Sequence, residues 1–160
     1  MRISIFAVGR LKQGPEEVLC TRYLDRFAKA GPPMGLAFTG LTEIAESKAT
    51  RPELRKHEEA DRLKARFDSS QTLILLDEAG KNVTSREFAG FIRSLRDDGI
   101  RDCWFAIGGP DGHDASLHNL ADRKISFGKL TWPHQLARIM LAEQLYRATT
   151  ILSGHPYHRD

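Results

Sequence analysis

Two short, unbroken apolar runs, TLILLD at 72–77 and CWFAIGG at 103–109, constrain this chain more than any other feature. A strand with one wet face alternates apolar and polar residues. A strand that is apolar at nearly every position is covered on both faces. Such cover comes from helices on both sides of a mainly parallel sheet, joined by strand–helix–strand crossovers. The rest of the chain fits that scheme. RISIFAV at 2–8 reads as a first strand stopped by Gly9. Pro15 opens a helical pattern through Val18, Leu19, Tyr23, Phe27 and Ala30, ended by Gly31, Pro32 and Pro33. Residues 34–44 are loosely strand-like, and the densely charged stretch 45–68 predicts an exposed helix with Leu54, Leu63 and Phe67 as its thin buried stripe. EAGKN after the 72–77 strand reads as a loop, and Thr84 or Ser85 as the cap of a helix carrying Phe88, Phe91, Ile92 and Leu95. A short helix over 114–122, a strand at 125–127 and a long helix over 134–152 complete the pattern.

At 160 residues this is one α/β domain by the usual length prior. The composition, 41% hydrophobic and 8% aromatic, excludes a mainly disordered chain. No run approaches the roughly 18 apolar residues of a membrane span, and MRISIFAVGRLK reads as a strand rather than a signal peptide. Cys20 and Cys103 have neither metal-ligand nor C-x-x-C spacing, so they read as two free buried thiols of a cytoplasmic protein. His155 and His158 lie near no HExxH or carboxylate cluster, which argues against a metal site. The last helix carries apolar residues almost all the way round, among them Leu136, Ile139, Met140, Leu145 and Ile151. One side of it is therefore expected to meet a partner subunit.

In open α/β sheets ligands bind beyond the carboxyl ends of the strands. Here those ends are Asp77–Lys81, Gly108–Gly112 and Gly128–Pro133, two of them glycine-rich. The familiar signatures fail. There is no GxxxxGK[ST] and no G-x-S-x-G, and Gly108-Gly109-Pro110-Asp111-Gly112 lacks GxGxxG spacing. Charge concentrates at the C-terminal end. Residues 123–160 hold Arg123, Lys124, Lys129, Arg138, Arg147 and Arg159 against Glu143 and Asp160, a net +4 where the whole chain carries +3. The tail GHPYHRD at 154–160 mixes histidine, tyrosine and arginine, which suits stacking on bases and contacting phosphate.

FAIGGPDG at 105–112, ISFGKLTWPHQLARIMLAEQLYRA at 125–148 and GHPYHRD at 154–160 together resemble the bacterial ribosomal RNA large subunit methyltransferase H family. LLDEAGKNVTSREFA at 75–89 and the opening ISIFAVGRLK fit as well. The resemblance covers essentially the whole chain. It implies a single SPOUT methyltransferase domain over 1–160, with a C-terminal trefoil knot across about 72–160. It also implies a homodimer with its site near the subunit interface. The implied activity is S-adenosylmethionine-dependent methylation of N3 of a pseudouridine in helix 69 of 23S rRNA, on assembled ribosomes. A SPOUT methyltransferase of another RNA, such as tRNA, and a non-catalytic ribosome-associated RNA-binding factor are the alternatives.

By resemblance, the cofactor loops comprise Leu76 and Asp77, then Gly108 and Gly109, then Phe127, Gly128, Lys129, Leu130, Thr131 and Trp132. N3 of pseudouridine carries a proton at neutral pH, so the expected catalytic group is His155 or His158 as an aid to deprotonation. Arg138 is expected beside them as a charge stabiliser, and Arg147, Tyr157 and Arg159 as RNA contacts. With a small net charge and no separate RNA-binding domain, recognition is expected to rest on the shape of a large particle.

Overall fold

The computed structural model describes residues 1–159. Asp160, the last residue of the expected domain and tail, lies outside the described residues. The chain runs β1 (Arg2–Val8), α1 (Pro15–Ala30), β2 (Ala37–Ile44), α2 (Pro52–Lys64), β3 (Thr72–Asn82), α3 (Ser85–Asp97), β4 (Asp102–Ile107), α4 (Ala115–Leu120), β5 (Arg123–Ser126) and α5 (His134–Ser153). The five strands form one sheet in the order β2-β1-β4-β3-β5, with every neighbouring pair parallel.

Alternate residues of the central strands enter two separate cores, as a sheet covered on both faces requires. Ile3, Ile5, Ile74, Cys103 and Phe105 pack with Cys20, Leu24 and Phe27 of α1, Phe88 and Ile92 of α3, and Leu141 and Leu145 of α5. Phe6, Val8, Leu73, Leu75 and Ala106 pack on the other face with Ala60 and Leu63 of α2 and Leu117 of α4. Burial pushes the Cys20 thiol up to about 11 and the Cys103 thiol further still, so both stay protonated in the core. Among the described residues no helix is long and apolar enough to cross a membrane.

Three expectations need correction. The loop expected at EAGKN is largely strand, because β3 resumes pairing with β5. Ile125 faces both Leu76 and Lys81, so residues 77–80 step out of the ladder and return. A Cβ on Gly80 would sit 2.6 Å from the Ile125 backbone, so only glycine lets the two chains pass this closely. The helix expected across 45–68 is confined to Pro52–Lys64, and its buried residues are Glu59, Ala60 and Leu63. Leu54 faces solvent at 40% exposure. The helix Pro15–Ala30 buries Cys20, Leu24 and Phe27, while Val18 is 57% exposed. Elsewhere the local chemistry acts as expected. Thr84 caps α3 in a reciprocal box with Glu87, satisfying two amides the helix cannot pair internally.

Candidate functional site

The break in the β3 ladder after Leu76 and the carboxyl ends of β4 and β5 open into one cavity of about 750 Å³. Its wall includes Leu76 to Ala79, Ile107 to His113, Ile125 to Gly128 and Leu130 to His134. The three loops expected at the strand ends therefore meet around a single space. Leu76, Asp77, Gly108, Gly109, Phe127, Gly128, Leu130, Thr131 and Trp132 all line it. Lys129 is exposed and lies outside the lining. The size suits a nucleoside-bearing ligand. Leu76, Ile107, Phe127 and Leu130 offer apolar surface, and the glycine-rich turn offers backbone at close range.

Two histidines of the wall carried no sequence signal. His113 is buried, and its Nε2–H donates to the Leu76 carbonyl at 3.0 Å. A carbonyl can only accept, which fixes that tautomer. His118 meets His113 edge to face at 6.1 Å between centroids, and its Nε2 lies 3.5 Å from Asp77. Burial holds His113 below its ordinary value near 6.5, against the opposing pull of the Leu76 carbonyl. Below about pH 6.5 the unfolded chain binds a proton here that the folded chain refuses, so stability falls as pH falls through that window. This group alone sets a slope of at most about 1.4 kcal/mol per pH unit. In urea titrations between pH 7.5 and 5, His113→Leu is expected to flatten the curve. An unchanged slope would refute the assignment.

At the other wall, His134 opens α5 and rests on β1. Its Nδ1–H donates to the Val8 carbonyl at 3.0 Å. Its ring occupies the space a Cβ on Gly9 would take, at 2.1 Å, and Gly9 itself has φ +86°. One turn on, Arg138 is fully buried. Its Nη2 donates to the carbonyls of Gly9 at 3.0 Å and Val8 at 3.3 Å, and its Nη1 to Glu43 of β2. Arg138 does not line the cavity. Its guanidinium is engaged in docking α5 onto the ends of β1 and β2.

The tail folds back along α5. Tyr157 donates its hydroxyl to Glu143 at 3.0 Å and packs on Tyr146 at 4.8 Å between ring centroids. Arg147 lies over the Tyr157 ring at 4.8 Å, bonds Glu143 through Nε at 2.9 Å and approaches His158 Nδ1 at 3.3 Å. His155 and Arg159 are exposed. The cavity touches α5 at His134 and Ala137, whereas the tail touches it at Glu143, Tyr146 and Arg147. At 3.6 residues per turn these sets lie on nearly opposite sides of a helix about 10 Å thick. The structure thus gathers most of the residues expected to hold a cofactor at one place and His155, Tyr157, His158 and Arg159 at another.

A parallel, doubly covered sheet whose successive carboxyl ends build one cavity places the chain in the α/β class. The profile described as "Predicted SPOUT methyltransferase" matches residues 1–158. A crystal structure of a hypothetical protein shares the fold, with a TM-score of 0.50, 11% identity, and coverage of 94% of this chain and 81% of its own. The Ribosomal RNA large subunit methyltransferase H of Brucella anthropi is 60% identical over the full length of both chains. That of Brucella abortus is 56% identical, again with full coverage of both. The chain belongs to this ribosomal RNA large subunit methyltransferase H family of SPOUT methyltransferases.

Proposed function

We propose that this chain is a cytoplasmic homodimer that methylates N3 of a pseudouridine in helix 69 of 23S rRNA, using S-adenosylmethionine and acting on assembled ribosomes. The observation that carries the reading is the convergence of the β3 ladder break, the glycine-rich turn after β4 and the segment after β5 on one cavity. Family membership supports the reaction class, and the relatives' names support a large-subunit rRNA substrate. When bound, S-adenosylmethionine supplies a methyl group on a sulfonium, whose thioether leaves with the bonding pair. The residues present fit such a group, since turn backbone can approach a polar edge while Leu76, Ile107, Phe127 and Leu130 enclose a flat ring. Lys129, on the third loop but outside the wall, is not needed for that enclosure. In this reading about residues 72–160 also carry the family's trefoil knot.

The protein's share of the chemistry is positioning and electrostatics. N3 must lose its proton as its lone pair takes the methyl carbon. His155 or His158 receives it, because an imidazole nitrogen can act as a general base. Arg147 and Arg159 hold phosphate or the charge that develops on the base, and Tyr157 stacks. Since α5 separates a chain's tail from its own cavity, these groups serve the cavity of the partner subunit.

The test is to incubate the protein with labelled S-adenosylmethionine and ribosomes from a strain lacking the gene, then map the label. Label on a helix 69 pseudouridine is expected. Label confined to tRNA would replace the substrate. Absence of both label and donor binding would leave a non-catalytic ribosome-associated factor.

A further inference from the structure

We propose that Arg55, on the surface helix α2, is a positioning residue that holds the Gly108–Gly112 turn in the shape that receives the methyl donor. The inference rests on the methyl-donor reading of the cavity and adds to it a residue from a helix that contributes nothing to the cavity wall.

The turn is tight. The Gly112 N–H donates to the Gly109 carbonyl at 2.9 Å, with Pro110 and Asp111 at the tip. Every residue from Gly108 to Gly112 faces the cavity, so a shift of the tip moves the whole wall. Asp111 points away from its own turn and is gripped at both oxygens by Arg55, Nε to Oδ2 at 2.6 Å and Nη2 to Oδ1 at 2.9 Å. The remaining nitrogen, Nη1, donates to the carbonyls of Ala49 at 3.1 Å and Thr50 at 3.4 Å. One guanidinium therefore ties the turn to α2 and to the segment that precedes α2. Both partners are about a quarter exposed, and the two-pronged geometry distinguishes this pair from an ordinary surface ion pair.

A second contact on the same helix face acts on the same turn. Glu59 lies one helical turn beyond Arg55 and is buried. Its Oε1 accepts the Ser47 N–H at 2.8 Å. Its Oε2 would lie 3.1 Å from a Cβ on Gly109, so the carboxylate is the backstop of the turn's first residue. Arg55 pulls the tip and Glu59 stops the base, which leaves the turn little freedom. A loop fixed before the ligand arrives loses less entropy on binding. Arginine is required because only a planar fork engages both oxygens of Asp111 while a third nitrogen bonds elsewhere.

The experiment is calorimetric titration of the full chain with S-adenosylmethionine, together with ribosome methylation and thermal melting. Arg55→Ala is expected to raise the donor's Kd and KM roughly tenfold, with kcat at saturating donor within about twofold. Arg55→Lys is expected to recover part of the loss. Asp111→Asn added to Arg55→Ala is expected to cost nothing further, since both remove one interaction. Arg66→Ala, whose guanidinium bonds only the Arg62 carbonyl among the hydrogen bonds described, serves as the control. A Kd for Arg55→Ala within twofold of the unaltered chain overturns the inference and leaves the proposed function standing. So does a fall in kcat with no change in KM. Should Arg55→Ala fail to fold, Asp111→Asn and Arg55→Lys decide the question by the same criteria. An unaltered chain that binds no S-adenosylmethionine overturns the proposed function, and this inference with it.

Discussion

Glu43→Ala is expected to destabilise the chain by roughly 3 kcal/mol, which lowers the melting temperature by about 6–12 °C for a domain of this size. The cause is the residue left behind. Arg138 is 0% exposed, and in the intact chain its charge is met by Glu43 and by the carbonyls of Val8 and Gly9. Two carbonyl dipoles do not replace a carboxylate, so the variant must hold a guanidinium in the core with no counter-charge. Glu43 also accepts the Leu11 N–H at 3.0 Å, so the loop after β1 loosens in the same step. The figure lies at the low end of the range for broken buried pairs because the Glu43 side chain is 27% exposed, and water can enter from that side. The double variant Glu43→Leu with Arg138→Met should recover most of the loss, since no charge then remains to be buried. Urea denaturation of the three chains measures both effects. A loss below about 1 kcal/mol in Glu43→Ala would mean that solvent already reaches Arg138.

This pair also explains what the sequence could and could not disclose. The runs at 72–77 and 103–109 were legible because a short apolar stretch without period, bounded by turn residues, fits a strand covered on both faces. The loops at their ends were legible for a related reason, as backbone that must approach a ligand needs glycine. Arg138 is visible within the ISFGKLTWPHQLARIMLAEQLYRA segment, yet nothing in that string says which way it faces. Its partner Glu43 lies 95 positions earlier on strand β2, and only the fold brings helix and strand together. β3 continues past Asp77 because Lys81 and Asn82 pair with Ile125 and Ser126 of β5, and no local propensity encodes such pairing. Hydropathy alone puts Leu54 in a buried stripe, whereas the face that α2 turns inward holds Arg55 and Glu59, two charged residues that contact the turn. His113 and His118 lacked any motif and were found only as walls of a space.

Two inactive variants, mixed, are expected to regain methyl transfer. One variant keeps its tail and loses the cavity, by Gly109→Val. A side chain there meets Val8 Cγ1 at 3.0 Å and the Glu59 carboxylate at 3.1 Å from Cβ alone, so the turn must deform. The other keeps the cavity and ends at Ser153. If each site joins one chain's cavity to its partner's tail, neither homodimer has a complete site. In a statistical mixture half the dimers are mixed, and each of those holds one complete site of two, so activity should return to about a quarter of the unaltered level. The opposed faces of α5 make this outcome specific. A tail bound through Tyr157 to Glu143 and Tyr146 lies across the helix from its own cavity at His134 and Ala137. A site complete within one chain would require those contacts to break and the tail to cross the helix, and mixing would then restore nothing. The tail-less chain should still bind S-adenosylmethionine with unchanged affinity, because none of its lost residues lines the cavity. Weaker donor binding by that chain would place the tail in the donor site itself and refute the division of labour between the two halves.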